Sequence, residues 1–266
     1  MMKNRLKKIL VESGYYTHLR HSTLFHCYQS IFKPQARKHE QQEIDFYKSF
    51  LPSTNLLFDI GGYDGHKTAA FLHIAEKVVC CEPDPTNFKV LKIRFRQKQK
   101  RVFLENVALG AAEGVGTMFL HHEASAFNTL NPKFKDVTEN DNLQKWSEKI
   151  KFQKSVPVTT TTLDKLICKY GLPYFIKIDV EGYELEVLKG LSQPVPYISI
   201  ECLLPDFTEE LQQNIQLFLH LDGRAQFNIA VHEKLLFEKF ITHADLLNFL
   251  AQFNQHHFEL VVRMNA

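Results

Sequence analysis

The feature that most constrains this chain is the run Leu56-Leu57-Phe58-Asp59-Ile60, which breaks at Gly61-Gly62 and is followed by Gly65. A short, mostly apolar segment ending in glycines is the signature of a buried parallel strand turning tightly into a helix. The same alternation recurs along the chain. Helical spacing over residues 67–75 precedes an apolar strand at 77–82, and Pro85 opens a helix predicted to run to 99. Strands are predicted at 102–106, 156–161, 174–180 and 197–202, with helices at 163–169, 183–191 and 209–221. The tail adds strands near 227–231 and 258–262 with a helix between them. Strands alternating with helices imply an α/β fold, a mostly parallel sheet covered on both faces.

Residues 1–50 read as a helical or irregular N-terminal extension, a possible lid, and 51–266 as the main domain. Residues 116–121 suit a strand. Beyond them the pattern loosens into a surface insertion at about 122–155, with little periodicity and a short helix expected near Trp146. Insertions of that length often carry substrate contacts. The 44% hydrophobic and 23% charged content suits a globular protein, and a net charge of +2 gives no case for a nucleic-acid partner. The basic run Lys89, Lys92, Arg94, Arg96, Lys98, Lys100, Arg101 reads as a solvated face, with attraction to an anionic substrate or membrane surface as the alternative. No stretch approaches the roughly 18 apolar residues of a membrane span, and the basic N-terminus lacks a signal-peptide core. Peripheral membrane contact stays open, as does oligomeric state. The cysteines show neither CxxC nor zinc spacing, and Cys80-Cys81 would face opposite sides of a strand. Buried, reduced thiols and a cytoplasmic location are the expectation.

In open parallel sheets ligands bind beyond the carboxyl ends of strands. That rule selects Asp59–Gly65, Glu82, Asn106, Asp179–Gly182 and Glu201. Glycines let backbone approach a ligand, and free N–H groups of the following helix would suit a carboxylate. A structural turn would use the same glycines. Glu82 is placed to accept hydrogen bonds from both hydroxyls of a ribose, as acids do in NAD-binding folds too. In Ile176-Lys177-Ile178-Asp179-Val180-Glu181-Gly182, alternation would set Lys177, Asp179 and Glu181 on one face. Three charges in a buried strand are costly unless paired or functional, and an ion pair ordering the strand end is the structural alternative.

Together, Phe58-Asp59-Ile60-Gly61, Glu82-Pro83-Asp84, Lys177-Ile178-Asp179-Val180-Glu181-Gly182-Tyr183-Glu184 and Ile200-Glu201 resemble the FkbM family of S-adenosylmethionine-dependent methyltransferases over roughly residues 45–205. The resemblance implies a Rossmann-like class I methyltransferase fold with a seven-stranded sheet. It also implies S-adenosyl-L-methionine as cofactor and O-methylation of a sugar, glycolipid or other small-molecule or glycan acceptor. On that basis Asp59, Gly61, Gly62, Tyr63 and Gly65 would hold the methionine part, Glu82 the ribose, and Asn106 to Ala108 the adenine. Asp179 would lie at both cofactor and acceptor, with Glu181 and Lys177 beside it as catalytic residues. The family loop reads Asp-x-Gly-Ala-Asn; here Gly62 and Tyr63 replace Ala-Asn, so the contacts there are expected to differ.

An alcohol acceptor has to lose a proton, so Asp179 and Glu181 are read as base or acceptor-positioning groups. With Glu201 they also form a set able to bind a divalent ion, but no metal is assigned. His18, His21, His26, His121 and His122 are read as surface residues. Two rivals remain: an NAD(P)-dependent oxidoreductase, although GxGxxG spacing is missing, and a non-catalytic methyltransferase-like binding module.

Overall fold

The computed structural model describes residues 34–140 and 149–265. Helix α1 (Pro34–Lys48) leads into β1 (Thr54–Ile60), α2 (His66–Phe71), β2 (Ala75–Cys81), α3 (Pro85–Arg94) and β3 (Val102–Glu105). After β4 (Ala108–Leu109), β5 (Gly114–Leu120), α4 (Pro132–Glu139) and β6 (Lys154–Thr161) come α5 (Leu163–Tyr170), β7 (Phe175–Ile178), α6 (Glu184–Leu188) and β8 (Tyr197–Leu203). The chain ends with α7 (Thr208–Leu221), β9 (Gln226–Ala230), α8 (His243–Leu250) and β10 (His257–Arg263). Seven strands form the main sheet in the order β3-β2-β1-β7-β8-β10-β9. Every pairing is parallel except those of β10, which runs antiparallel to β8 and β9. Strand order reverses direction between β1 and β7, and a ligand crevice opens there at the carboxyl ends.

Alternation builds two cores. Phe58, Ile60, Val79, Cys81, Ile176 and Ile178 pack on one face against α5, α6, α7 and α8. Leu57, Val78, Cys80 and Phe175 pack on the other, under Tyr47 of α1, Phe71 of α2 and Leu91 of α3. Cys80 and Cys81 therefore do point to opposite faces. Cys80, Cys81 and Cys202 are buried free thiols, whereas Cys168 is exposed, contrary to expectation. The end of α1 and the residues after it belong to this core: Tyr47 is fully buried and Phe46 and Leu51 nearly so.

Three readings need correction. Helix α2 stops at Phe71 rather than 75, because Ala75 is already paired with Thr54 in the sheet. Helix α3 begins at Pro85 as predicted, with Asp84 accepting from the N–H groups of Thr86 and Asn87, but ends at Arg94 rather than 99. The insertion is not an unpatterned surface loop: Asn131 caps α4, whose Phe134 is fully buried. The strands expected at 116–121 and 156–161 flank it as β5 and β6, and with β4 they make a second, three-stranded sheet. The helix expected near Trp146, along with His18, His21, His26 and Cys27, lies outside the described residues.

Candidate functional site

The crevice holds a cavity of about 250 Å³. Its glycine loop owes its shape to protein contacts. Gly61 has φ +87°, and a Cβ there would sit 1.8 Å from the carbonyl oxygen of Asp179. The ends of β1 and β7 thus touch backbone to backbone, which only glycine permits. At Gly65 (φ +81°) a Cβ would press on Leu91 and Phe95 at 2.6–2.7 Å. The N–H groups of Gly61 and Gly62 both donate to the Cys81 carbonyl, that of Gly65 donates to Gly62, and that of His66 donates to the Asp64 carboxylate. These four N–H groups are therefore already bonded inside the chain. Tyr63 adopts φ +47°, a left-handed conformation that asparagine tolerates best among non-glycine residues. That explains the asparagine of the family pattern at this position.

Asp59 is buried and accepts a 2.5 Å hydrogen bond from the Thr68 hydroxyl, which ties the strand end to α2. Burial pushes its pKa up, partly offset by Thr68 and Lys177. Glu82 is also buried. Its Oε2 accepts from the Tyr63 N–H and its Oε1 from the Asp84 N–H, each at 2.8 Å. Burial raises its pKa to about 8 despite those two donors. Each oxygen keeps a further lone pair for a ligand hydroxyl.

The insertion closes this side of the cavity. Asn128 Nδ2 donates to Asp84 Oδ2 at 2.8 Å, Thr129 Oγ1 to the Glu181 carbonyl at 2.8 Å, and Asn131 Nδ2 to the Gly182 carbonyl. Met118 and Leu130 join Val107, Ala108 and Leu109 in the apolar lining of the cavity, Met118 and Leu130 packing in one cluster with Ala108. Of the residues expected at the site, Asp59, Gly61, Gly62, Tyr63, Glu82, Ala108, Asp179 and Glu181 line the cavity. Gly65, Asn106 and Lys177 do not. Asn106 Nδ2 instead donates to the carbonyls of Glu82 and Pro83, joining the ends of β2 and β3.

Lys177 is 1% exposed, and its Nζ reaches Asp179 Oδ2 at 3.0 Å and Glu259 Oε1 at 3.3 Å. Strand β7 stops at Ile178, and the chain then turns through left-handed Glu181 (φ 55°) and Gly182 (φ 84°). Simple alternation therefore does not place Glu181; the turn does. Glu184 Oε1 orders that turn by accepting from the N–H groups of Val180 and Gly182. Asp179, Glu181 and Glu201 each bring a carboxylate oxygen within 4.8 Å of the others, the set among described residues that would reach one cation.

Burial and the neighbouring carboxylates push Glu181 and Glu201 up, and burial raises Glu184 to about 8. Burial also acts to raise Asp179, but the charge and hydrogen bond of Lys177 prevail and hold it below its ordinary value. Lys177 is itself held well above its usual value: burial opposes its charge, and Asp179 and Glu259 outweigh burial.

Three participants were missed in the sequence: His257, Glu259 and Lys67. His257 and Glu259 alternate with apolar Phe258 and Leu260 on β10, the same charge-in-a-strand signal that singled out Lys177. Lys67 lines the cavity with Nζ 3.1 Å from Glu43 of α1, a contact that no local pattern announces. Larger hollows of about 700 and 630 Å³ lie along α7 and α8, away from this charge cluster.

The sequence matches the family described as the methyltransferase FkbM domain over residues 59–254. No curated protein matches it. Among solved structures, the chain is similar to TrmK of M. capricolum in complex with S-adenosyl-homocysteine (10% identity, 86% of this chain and 68% of that one, TM-score 0.43). It is similar to the O-methyltransferase from Bacillus cereus in complex with SAH (10%, 85% and 80%, TM-score 0.42). A third is the precorrin-6y C5,15-methyltransferase from Geobacter metallireducens GS-15 (10%, 85% and 87%, TM-score 0.38).

Proposed function

The chain belongs to the FkbM methyltransferase family, and from that premise we propose that it transfers the methyl group of S-adenosylmethionine to a hydroxyl of a sugar, glycolipid or other small metabolite. The observation that carries the reading is the Glu82 carboxyl, buried in the cavity lining with a further lone pair on each oxygen. A vicinal diol is the donor pair that such a group suits. The apolar wall of Val107–Leu109, Met118 and Leu130 suits an adenine. The Asp59–Tyr63 loop leads from Glu82 to Asp179 and would run along the methionine part.

When bound, the cofactor supplies an electrophilic methyl on a sulfonium. The protein's part is orientation: the acceptor oxygen has to sit about 3 Å from that carbon, in line with the bond that breaks. Asp179 and Glu181, which line the same cavity as the loop, are the groups assigned to hold the acceptor hydroxyl. Lys177 acts through Asp179, keeping it ionised and fixed.

Calorimetric titration with S-adenosylmethionine, S-adenosylhomocysteine and NAD tests the cofactor, and release of S-adenosylhomocysteine over a panel of hydroxyl acceptors tests transfer. Binding of both adenosyl ligands with none of NAD is expected. Binding of NAD alone would assign the crevice to hydride chemistry. Tight adenosyl binding with no transfer to any acceptor would favour a binding module.

A further inference from the structure

Deprotonation of the acceptor needs a group that is basic near neutrality, reachable from solvent and next to the acceptor side of the cavity. Asp179 suits this poorly, because its charge is committed to Lys177 at 3.0 Å. The neighbouring strands supply something better. Glu201 on β8 and Glu259 on β10 are register partners, and His257, two residues before Glu259 on the same face, lies diagonally across from Glu201. His257 Nε2 meets Glu201 Oε1 at 2.5 Å. The histidine side chain is 62% exposed and the glutamate 15%, so an acceptor can reach the ring while its partner is shielded. Glu201 itself lines a small neighbouring hollow, but its carboxylate lies within 4.8 Å of those of Asp179 and Glu181, both of which line the crevice cavity.

We propose that His257 is the catalytic proton acceptor for the methyl-accepting hydroxyl, with Glu201 as its positioning residue. This rests on the methyltransferase reading above. With Nε2–H donated to Glu201, the Nδ1 lone pair is left for the acceptor. As the carbon–oxygen bond forms and the carbon–sulfur bond breaks, the electron pair stays on sulfur and the hydroxyl proton passes to Nδ1. Glu201 balances the imidazolium, which then gives the proton to solvent from its exposed face. The hydrogen bond and charge of Glu201, joined by Asp179 and Glu259, hold the ring's affinity for protons above the ordinary histidine value.

The test needs no known acceptor. The His257 imidazole is followed by nitrogen–proton NMR through a pH titration, its signal assigned by loss in His257→Gln. Titrations are run free, with S-adenosylhomocysteine and with S-adenosylmethionine, and repeated in Glu201→Gln. The midpoint should lie above the ordinary histidine value and fall in Glu201→Gln. It should also be lower with S-adenosylmethionine than with S-adenosylhomocysteine. A sulfonium about 6 Å away shifts it by about half a pH unit even at the dielectric constant of water. If both ligands bind and the two midpoints coincide, His257 does not face the methyl group and the proposal fails alone. If neither ligand binds, the methyltransferase reading fails and takes this one with it. Circular dichroism of both variants checks the fold; should Glu201→Gln be unfolded, the comparison of the two ligands in wild type still decides.

Discussion

Replacing Glu82 by glutamine probes the cofactor end of the site with almost no change of shape. In the wild type both oxygens accept a backbone N–H at 2.8 Å, from Tyr63 and from Asp84. A glutamine offers one oxygen and one NH2 group, so one of those N–H donors faces another donor. Orphaning it costs about 1–3 kcal/mol, which for a chain of this size lowers Tm by roughly 2–10 °C. Losing a charge-assisted bond to a ribose hydroxyl costs a similar 1.5–3 kcal/mol, weakening Kd about ten- to hundredfold. Proton linkage gives a second signature. Glu82 titrates at about 8 in the free protein, and hydroxyl donors favour its ionised form, so binding below that pH expels a proton. Affinity should therefore tighten as pH rises from 6.5 to 8.5, by about ten- to thirtyfold. Calorimetry with 5′-methylthioadenosine is the assay, since that ligand keeps the ribose and lacks the titrating amine of the amino acid. The dependence should vanish in Glu82→Gln. A wild-type Kd that is flat with pH and matched by the variant would refute the ribose assignment.

Asp179→Asn should cut turnover about a hundredfold through misplacement of the acceptor while leaving cofactor Kd within a few-fold; unchanged turnover at saturating acceptor would remove Asp179 from the reaction. Lys177→Met leaves Asp179 and Glu259 without their shared cation and should destabilise the fold by about 3 kcal/mol, read from urea midpoints. A change below about 0.5 kcal/mol would mean the pair carries no structural burden. Tyr63→Asn relaxes a left-handed backbone and should raise Tm by about 2–4 °C, for a gain near 1 kcal/mol; a fall would mean the tyrosine's own contacts outweigh the strain. Glu82 and Glu184 both hold their protons more tightly in the folded state, titrating at about 8 against about 4.5 when unfolded. Their stabilising contribution is complete below pH 4.5 and is lost as pH rises to 8. Thermal melts of the free protein should show Tm falling across that window.

The strands that frame the crevice were legible because each is an apolar run ended by a residue that cannot continue it. Ile60 meets Gly61, Cys81 meets Glu82, and Ile178 meets Asp179. Ends defined by pairing rather than by composition were not legible. Residues 72–75 keep a helical spacing, yet Ala75 is taken by Thr54, some twenty residues earlier. The insertion shows the same limit. Asn131-Pro132 is a readable helix start, but a single large apolar residue, Phe134, anchors α4, and one anchor makes no period. Its ties to Asp84, Glu181 and Gly182 join residues some 40 to 50 positions apart, a distance that no local pattern spans.

The glycine loop illustrates why a correct motif can carry an incomplete explanation. Gly61 is indispensable, but the atom that excludes a side chain is the carbonyl of Asp179, not a ligand. The loop thereby locks the β1 end to the very residue assigned to the acceptor. Lys177 locks that residue from the other side and reaches Glu259, the register partner of Glu201. A shift of β1 against β7 would thus move the cofactor wall and the acceptor carboxylates together. Rigid coupling of this kind suits a reaction whose rate depends on holding oxygen, carbon and sulfur in line. It also explains how the strand end tolerates the Asp179 and Glu259 carboxylates: the two share one buried lysine.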